Sequence, residues 1–226
     1  LFAAVSNDPL AKQTLQNPYS LAPPGERSGV DPGTHPLPRN DRLHSSWTSP
    51  SPMAPVNERI VRRSNAVLGY PWGREFRCTE RIPTGSGFGG AARATLIAGG
   101  LGVFTAAMSI DPVRNGIQRY VFPDPGEGPS EEQIENGYFT VRLLGRGTAR
   151  DGPFTVEAEF GADRDPGYGA TARMLGEAGV CLVRGEVESP LSGGVVTPAS
   201  GIGLPLADRL RDAGFTATVE TATRTE

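Results

Sequence analysis

The sequence has few of the side chains that most often serve as metal ligands or nucleophiles. It contains two histidines, His35 and His44, and both lie in a proline-rich segment. Its two cysteines, Cys78 and Cys181, are far apart in segments with alternating apolar residues and have no neighbouring histidine. Such cysteines are typical of buried free thiols. We therefore expect no metal site, no histidine-based catalytic triad and no disulfide.

An excess of positive charge is also missing. The chain has 22 Lys and Arg against 25 Asp and Glu, for a net charge of −3, and the basic residues are scattered. Because nucleic-acid binding needs a concentrated basic surface, we expect no nucleic-acid partner. The sequence starts at Leu1 without an initiator methionine or a signal peptide. We interpret it as a processed or truncated chain of a cytoplasmic protein.

Glycine, in contrast, is abundant, and three of the 30 glycines form the pattern Gly85-x-Gly87-x-x-Gly90. This pattern binds a dinucleotide phosphate where it follows a buried parallel strand and starts a helix. The preceding residues 74–82 alternate apolar and charged side chains, which indicates a half-solvated antiparallel strand. Asp111 is the one acidic candidate for a ribose contact, and it follows an apolar run. We therefore favour a glycine-rich strand-to-helix turn over a cofactor loop.

The composition of the chain changes near residue 54. Residues 1–16 have the pattern of the end of a helix that Pro9 interrupts, and residues 17–54 are dense in Pro, Gly, Ser and Asp. The latter composition is typical of a long ordered loop or a connecting segment. Residues 55–226 are the predicted main domain.

A helix with one polar face is predicted at the start of that domain, from Pro55 to Tyr70, with Gly69 as its cap. The polar face carries Asn57, Arg59, Arg62, Arg63, Ser64 and Asn65. A polar helix face is often simply solvated. Alternatively, its arginines and asparagines line an anionic pocket, because guanidinium groups bind phosphate or carboxylate in bidentate fashion. On this second interpretation the candidate substrate ligands are Asn57, Arg62, Arg63 and Asn65.

An uncharged run follows from residue 94 to residue 110. It is at the lower limit for spanning a bilayer, and its glycines weaken it as an isolated helix. Burial in a protein core is the favoured interpretation, and membrane contact is the alternative. The same run would also suit an acyl-chain tunnel or a dimer face.

The second half of the sequence alternates strand and helix signals. Ser130 and Gln133 form a capping-box pattern for a short helix. Residues 138–147 and 153–163 alternate with a period of two around Arg150-Asp151-Gly152, which predicts a hairpin. Helices are predicted at 170–185 and 204–214, followed by a strand at 215–219. The expected fold class is α+β, with an antiparallel sheet packed by helices.

Five segments together resemble the trans-acting enoyl reductases, within the wider saccharopine dehydrogenase-like oxidoreductases. They are NPYSLAP at 17–23, MAPVNERIVRRSNAVLGY at 53–70, PDPGEGPSEEQIENGYF at 123–139, DPGYGATARMLGEAGVCLV at 165–183 and GGVVTPASGIGLPLADRLRDAGF at 193–215. The resemblance covers nearly the whole chain, and the matched portion is the C-terminal substrate and dimerisation region of the family. It implies the substrate half of a Rossmann-type oxidoreductase and allows a homodimer. The glycine-rich NADP loop of the family has no counterpart here.

The resemblance implies a reaction in which NADPH reduces the C=C bond of an enoyl thioester or polyketide-type lipid. NADP(H) is then expected in the intact protein and not on this chain alone, so the chain by itself is not expected to be active. Tyr168, in a turn that opens a helix, is the candidate proton donor; otherwise it is a structural tyrosine that packs the turn. Thr197 and Ser200 are interpreted as capping hydroxyls. The alternative function is a non-redox module that binds acyl or polyketide ligands or a partner subunit.

Overall fold

The computed structural model describes residues 8–41, 45–121, 126–149 and 152–224. Contacts between Cα atoms group the chain into two compact units, Leu1–Glu127 and Gly128–Glu226. The structure thus divides the chain after Glu127, whereas the composition suggested a boundary near residue 54. Three sequence predictions fall outside the described residues: the helical character of residues 1–7, the role of His44, and the turn at Arg150 and Asp151.

The first unit combines helices with a small antiparallel sheet in the order β1-β2-β3. Its elements are α1 (Pro9–Gln16), β1 (Arg39–Asp41), β2 (Ser46–Pro50), α2 (Ala54–Val67), β3 (Arg81–Gly85), α3 (Gly87–Met108) and α4 (Asp111–Tyr120). Pro9 begins α1 and does not interrupt it, because proline suits the first helical position and Asp8 caps the backbone N–H of Leu10 at 2.8 Å. The segment predicted as a loop therefore contains two strands.

The glycine-rich stretch is a tight turn from β3 into α3, as the sequence predicted. Gly85 and Gly87 have φ angles of 97° and 64°, which favour glycine. A Cβ atom on Gly90 would lie 2.1 Å from the carbonyl oxygen of Gly85, so only glycine lets the helix start this close to the strand. The strand before the turn is antiparallel to β2, as expected, but it runs from Arg81 to Gly85 and not from residue 74.

Helix α3 is long, apolar and largely uncovered by the rest of the described chain. Among the described residues it is the one helix whose length and composition would allow it to cross a membrane. Only 11% of its most apolar 18-residue stretch is buried. Its buried residues are Gly90, Ala94 and Met108. The expectation that this run is buried in the core of the chain is therefore wrong for the described residues.

The second unit is a three-stranded antiparallel sheet, in the order β4-β5-β6, with helices packed on it. Its elements are α5 (Glu131–Asn136), β4 (Phe139–Ala149), β5 (Gly152–Ala162), α6 (Gly169–Arg184), α7 (Pro198–Gly201), α8 (Leu204–Asp212) and β6 (Thr216–Arg224). The predicted hairpin is confirmed, and Val141 pairs with Phe160 in its register. The capping box of Ser130 and Gln133 is also confirmed, with both of its hydrogen bonds formed.

The core of the second unit forms where α6 and α8 meet one end of the sheet. The rings of Phe139 and Phe215 each lie 5.8 Å from that of Phe160, measured between centroids. Cys181 and Leu210 are buried beside them. Both cysteines are free, although Cys78 is only partly buried. The predicted fold class, α+β, is confirmed, with two antiparallel sheets among the described residues in place of one.

Candidate functional site: a cleft beside the buried face of α2

Helix α2 positions the candidate site, and its buried face is polar. Residues Ala54, Glu58, Arg62 and Asn65 recur every three or four positions, so they lie on one side of the helix, and all four are buried. The apolar Val56, in contrast, is exposed. The polar side of this helix therefore faces the protein, and the prediction of a solvated polar face is wrong for Arg62, Ser64 and Asn65.

Arg62 is the centre of a buried ion triad. Its Nε atom donates to Asp31 at 2.9 Å, and its Nη2 atom donates to Glu58 at 3.1 Å. All three side chains are almost completely buried. Burying one guanidinium with two carboxylates is tolerable because each charge is paired and hydrogen-bonded.

The two carboxylates of the triad hold distant segments against α2. Asp31 accepts hydrogen bonds from the backbone N–H groups of Gly33 and Cys78, at 2.9 and 2.8 Å. Glu58 accepts from the hydroxyl of Thr34 at 2.7 Å and from the backbone N–H of Glu80 at 3.0 Å. The segments around residues 31–34 and 78–80 are thus fixed to the same helix.

The electrostatics around Asp31 and Arg62 favour the ionised forms of these two side chains. Burial alone would raise the pKa of Asp31, but the hydrogen bonds from Arg62 and from two backbone N–H groups outweigh it, so the pKa of Asp31 is lowered. Burial likewise lowers the pKa of Arg62, and the two carboxylates more than reverse this effect. Burial, together with the charge of Glu58, raises the pKa of the Cys78 thiol to about 11. Cys78 is therefore a protonated thiol at neutral pH and a poor nucleophile.

A cleft with a volume of about 270 Å³ opens beside this triad. Its lining combines aromatic, polar and small residues: Tyr19, Ser28, Gly29, Val30, Arg62, Asn65, Ala66, Tyr70, Arg74, Glu75 and Phe76. A volume of this size lies just below the range of about 300–1,000 Å³ for small-molecule sites. Aromatic walls with a few convergent polar groups are nevertheless typical of such sites.

Asn65 shapes one wall of the cleft by holding the turn that follows α2. Its Nδ2 atom donates to the carbonyl of Gly73 at 2.9 Å, and its Oδ1 atom accepts from the N–H of Trp72 at 3.1 Å. Its backbone carbonyl accepts from the N–H of Tyr70 at 2.7 Å. Tyr70 has a φ of 65°, which is costly for a residue with a side chain. The hydrogen bonds of Asn65 thus maintain a strained tyrosine at the cleft.

Three side chains form a polar group at the cleft, with Glu26 as the shared acceptor. The hydroxyl of Tyr70 donates to Glu26, and Arg74 donates to the same carboxylate at 2.9 Å. The guanidinium of Arg74 lies 4.0 Å from the centroid of the Tyr70 ring. The hydrogen bond to Glu26 raises the pKa of Tyr70, and the same bond lowers the pKa of Glu26. The Arg74 side chain is 68% exposed, so it is the cationic donor of the cleft that an incoming ligand can reach.

Only two of the four predicted substrate ligands line this cleft, namely Arg62 and Asn65. Asn57 is exposed and donates to Glu80 at 2.7 Å, whereas Arg63 donates to the carbonyl of Leu21 at 2.6 Å. The donors of Arg62 are engaged by Asp31 and Glu58. In the structure Arg62 therefore orders the wall of the cleft, while its action as a direct ligand stays a prediction.

Tyr168 lies in the second unit, at the N-terminal end of α6. Its backbone N–H donates to the carboxylate of Asp165 at 2.5 Å, and 55% of the residue is exposed. Its place at a helix start is as the sequence suggested, and its role as a proton donor stays a prediction. Thr197 and Ser200 form a capping box at α7, which confirms that they are capping hydroxyls.

Several lining residues were missed by the sequence analysis, chiefly Tyr19, Tyr70, Arg74 and Phe76. Tyr19 lies in the segment interpreted as a loop, and its hydroxyl accepts from the backbone N–H of Asp31 at 2.9 Å. The one available signal was the Gly69-Tyr70 pair after α2, where a helix cap is followed by an aromatic residue. That signal marks a turn and carries no information about a cleft.

The described residues do not fit a dinucleotide site. Both of their sheets are antiparallel, whereas a dinucleotide fold uses parallel strands joined by crossover helices. The glycine-rich turn is occupied by its own packing, since Gly90 rests against the carbonyl of Gly85. We therefore derive no chemical step that passes through a nicotinamide cofactor on these residues.

The structure thus defines an α+β protein with a half-enclosed aromatic cleft. Comparisons with known proteins then show which proteins it is similar to. A Mycobacterium tuberculosis H37Rv protein provisionally named a trans-acting enoyl reductase is 35% identical over 226 residues, which cover 95% of this chain and 52% of that protein. The trans-acting enoyl reductase of Mycobacterium ulcerans is 35% identical over 97% of this chain and 53% of its own length. That of Mycobacterium bovis BCG is 33% identical, covering 92% of this chain and 51% of its own length.

These relatives support the resemblance to the trans-acting enoyl reductases that the five sequence segments suggested. The chain spans about half the length of the curated relatives it matches. No protein-family model matches the chain. No solved structure matches it either.

Proposed function

We propose that this chain is the substrate-binding part of an NADP-dependent oxidoreductase that reduces the C=C bond of an enoyl thioester or polyketide-type lipid intermediate. The observation that carries the proposal is the similarity to trans-acting enoyl reductases along nearly the whole chain. In this proposal the protein belongs to the saccharopine dehydrogenase-like oxidoreductases and is cytoplasmic. NADP(H) supplies the hydride in the intact protein, at a site outside the residues described here.

The cleft beside α2 is the proposed acyl-binding site. Its aromatic residues Tyr19, Tyr70 and Phe76 provide apolar walls for an unsaturated chain. Arg74 is the donor for the anionic end of the ligand, since thioester carriers are commonly phosphorylated and a guanidinium binds phosphate in bidentate fashion. Arg62 and Asn65 order the wall of the cleft. In this proposal they act on the substrate mainly by shaping that wall, and less as free hydrogen-bond donors.

The proposed reaction also needs a proton at the α-carbon of the substrate. Tyr168 is the proposed donor, because it is an exposed tyrosine in the turn that opens α6. Asn57 and Arg63 stay candidate contacts for the carrier end of the substrate.

The second candidate function is an acyl-binding module without redox activity. The presence of a cleft in this chain favours this function equally.

Replacing Arg74 by alanine is expected to raise the dissociation constant of an acyl thioester about fivefold, which corresponds to roughly 1 kcal/mol for one exposed charged contact. The probe is a short 2-enoyl coenzyme A thioester. Its binding to the chain is followed by tryptophan fluorescence, because Trp72 lies 5.2 Å, between ring centroids, from the lining residue Phe76.

The matched control for this prediction is Arg77→Ala. Arg77 is also exposed, lies three positions along and does not line the cleft, so its loss changes the net charge equally. Affinity that falls equally in both variants would indicate general charge attraction. Binding unchanged by Arg74→Ala would remove this cleft from the proposal.

A further inference from the structure

The middle of α3 is apolar on every side and is left uncovered by the rest of the described chain. No residue of this helix is buried between Ala94 and Met108. The exposed large side chains of this stretch are Leu96, Ile97, Val103 and Phe104. At about 100° per residue they cover an arc of about 120°, and mainly Ala, Gly and Thr occupy the remainder. The apolar surface is therefore too broad for one narrow helical stripe.

The hydroxyl groups of this stretch are satisfied within the helix itself. Thr95 donates to the carbonyl of Ala91 at 2.9 Å, and Thr105 donates to the carbonyl of Leu101 at 2.8 Å. Ser109, which follows the helix, donates to the carbonyl of Thr105 at 3.0 Å. A polar group that enters hydrocarbon needs such an internal partner, because no water is available there. These hydroxyls thus allow the stretch to enter a lipid environment.

Helix α4 continues this surface with one apolar and one polar side. Val113, Ile117 and Tyr120 are spaced by four and three residues, so they share a side, and no residue of α4 is buried. Asn115 and Arg119 lie on the other side by the same geometry. Helices with this division are typical of the membrane interface. We call residues 95–107 of α3, together with α4, the α3–α4 surface.

The charges along the two helices are mainly positive, although the whole chain has a net charge of −3. Residues 87–121 contain Arg93, Arg114 and Arg119 against a single acidic residue, Asp111. Arg114 is paired with Asp111 at 2.7 Å. Arg93 and Arg119 are exposed, one near the start of α3 and the other near the end of α4. This distribution complements the anionic headgroups of a phospholipid membrane.

We propose that the α3–α4 surface docks on one leaflet of an anionic phospholipid bilayer, with α3 lying in the plane of the membrane. The uncovered stretch of α3 is about 20 Å long, whereas the hydrocarbon core of a bilayer is about 30 Å thick. Its start is fixed to the protein, since Gly90 packs against the carbonyl of Gly85 in β3. The helix therefore enters one leaflet and does not cross the bilayer.

A second copy of the chain is a less suitable occupant of the α3–α4 surface than a bilayer. A partner helix would cover one stripe of α3 and leave large side chains such as Ile97 in water, whereas lipid surrounds the helix. One side of the uncovered stretch measures about 20 Å by 10 Å, which is small beside the roughly 800 Å² that a stable interface buries per partner. The proposal goes beyond the proposed enoyl reduction and does not depend on it.

The first test follows the 226-residue chain as it floats with phospholipid vesicles through a sucrose gradient. The chain is expected to float with vesicles of mixed phosphatidylcholine and phosphatidylglycerol, and more weakly with phosphatidylcholine alone. Leu96→Glu should lower the partition constant by at least about tenfold, because a charged side chain replaces an apolar one that leaves water on docking. Leu175→Glu is the matched control, since Leu175 is 73% exposed on α6 and Leu96 is 77% exposed. That variant should float like the parent chain.

The contribution of charge is tested with Arg119→Gln. This change should lower the affinity for the anionic vesicles by about fivefold, the effect of one arginine near an anionic surface. Binding to phosphatidylcholine alone should stay the same. Arg173→Gln removes an equally exposed arginine from α6 and should have no effect. Equal losses of affinity for the two variants would contradict the docking of α4.

The orientation is measured by the quenching of tryptophan fluorescence with lipids brominated at different depths. Leu96→Trp and Val103→Trp place the probe at two positions about 10 Å apart along α3. Both probes should lie at the same depth if the helix lies in the membrane plane. The parent chain, with Trp47 and Trp72, gives the background signal.

Three further results would overturn the proposal. They are a parent chain that does not float with anionic vesicles, a Leu96→Glu variant that floats as well as the parent chain, and a difference of about 10 Å between the depths of the two probes. A chain that does not float and has twice the mass of 23.8 kDa would identify a second copy as the occupant.

Discussion

Replacing Arg62 by alanine is expected to lower the free energy of unfolding of the first unit by about 3–5 kcal/mol, the range for breaking a buried ion pair. The substitution would leave Asp31 and Glu58 buried without their shared guanidinium. It would also release the segments around residues 31–34 and 78–80, which these two carboxylates hold against α2. Partial unfolding of the first unit at ambient temperature is therefore expected.

The effect of Arg62→Ala is measured by urea unfolding followed through tryptophan fluorescence, which reports on the first unit because both tryptophans, Trp47 and Trp72, lie there. Arg63→Ala is the matched control on the neighbouring position of α2. Arg63 is only partly buried and donates to the Leu21 carbonyl, so its loss should cost about 1 kcal/mol. If the two variants lost the same free energy of unfolding, the triad would not stabilise the fold.

Replacing Tyr168 by phenylalanine is expected to lower the turnover of the natural, intact protein by about 100-fold, the lower end of the contribution of a general acid. The Michaelis constant for the enoyl thioester should not rise, because proton donation is an interaction of the transition state alone. The backbone hydrogen bond from Tyr168 to Asp165 is retained in the variant, so the start of α6 should be preserved.

Tyr138→Phe controls for the loss of a tyrosine hydroxyl. Tyr138 belongs to the same unit and is also exposed, and nothing assigns it a role in the reaction. Turnover should fall for the Tyr168 variant only, with both proteins giving the circular dichroism of the parent chain. Unchanged turnover would remove Tyr168 as the proton donor, and loss of folding would return it to a structural role.

Local patterns allowed much of the second unit to be predicted. The alternation of apolar residues around Val141 and Phe160 predicted the hairpin, in which the structure pairs these two residues. The capping boxes at Ser130 and Thr197 were readable because their partners lie three positions away. The positive φ of Gly185 likewise ends α6 where its sequence pattern stops.

Helix α2 was misread because its buried partners are distant in sequence. Arg62 contacts Asp31, which lies 31 positions away, and no local pattern reveals that a charged residue has a buried counter-ion. Hydrophobic periodicity then assigned Val56 to the interior and Arg62 to solvent, which is the reverse of the structure. The cleft was invisible for the same reason, since its walls come from two loops and a helix.

Helix α3 was misread for a different reason. An uncharged run is normally buried, and the sequence does not reveal whether the covering surface belongs to the same chain. The structure shows that the described residues leave most of the apolar surface of α3 uncovered.

Consumption of NADPH by the natural polypeptide, purified from its source and supplied with a 2-enoyl coenzyme A thioester, tests the proposed function most directly. Loss of absorbance from NADPH and mass-spectrometric detection of the saturated thioester are recorded together. The proposed function predicts one saturated product for each NADPH consumed, with no consumption when a saturated thioester replaces the enoyl substrate. Binding of the thioester without any NADPH consumption would contradict enoyl reduction and identify the protein as an acyl-binding module.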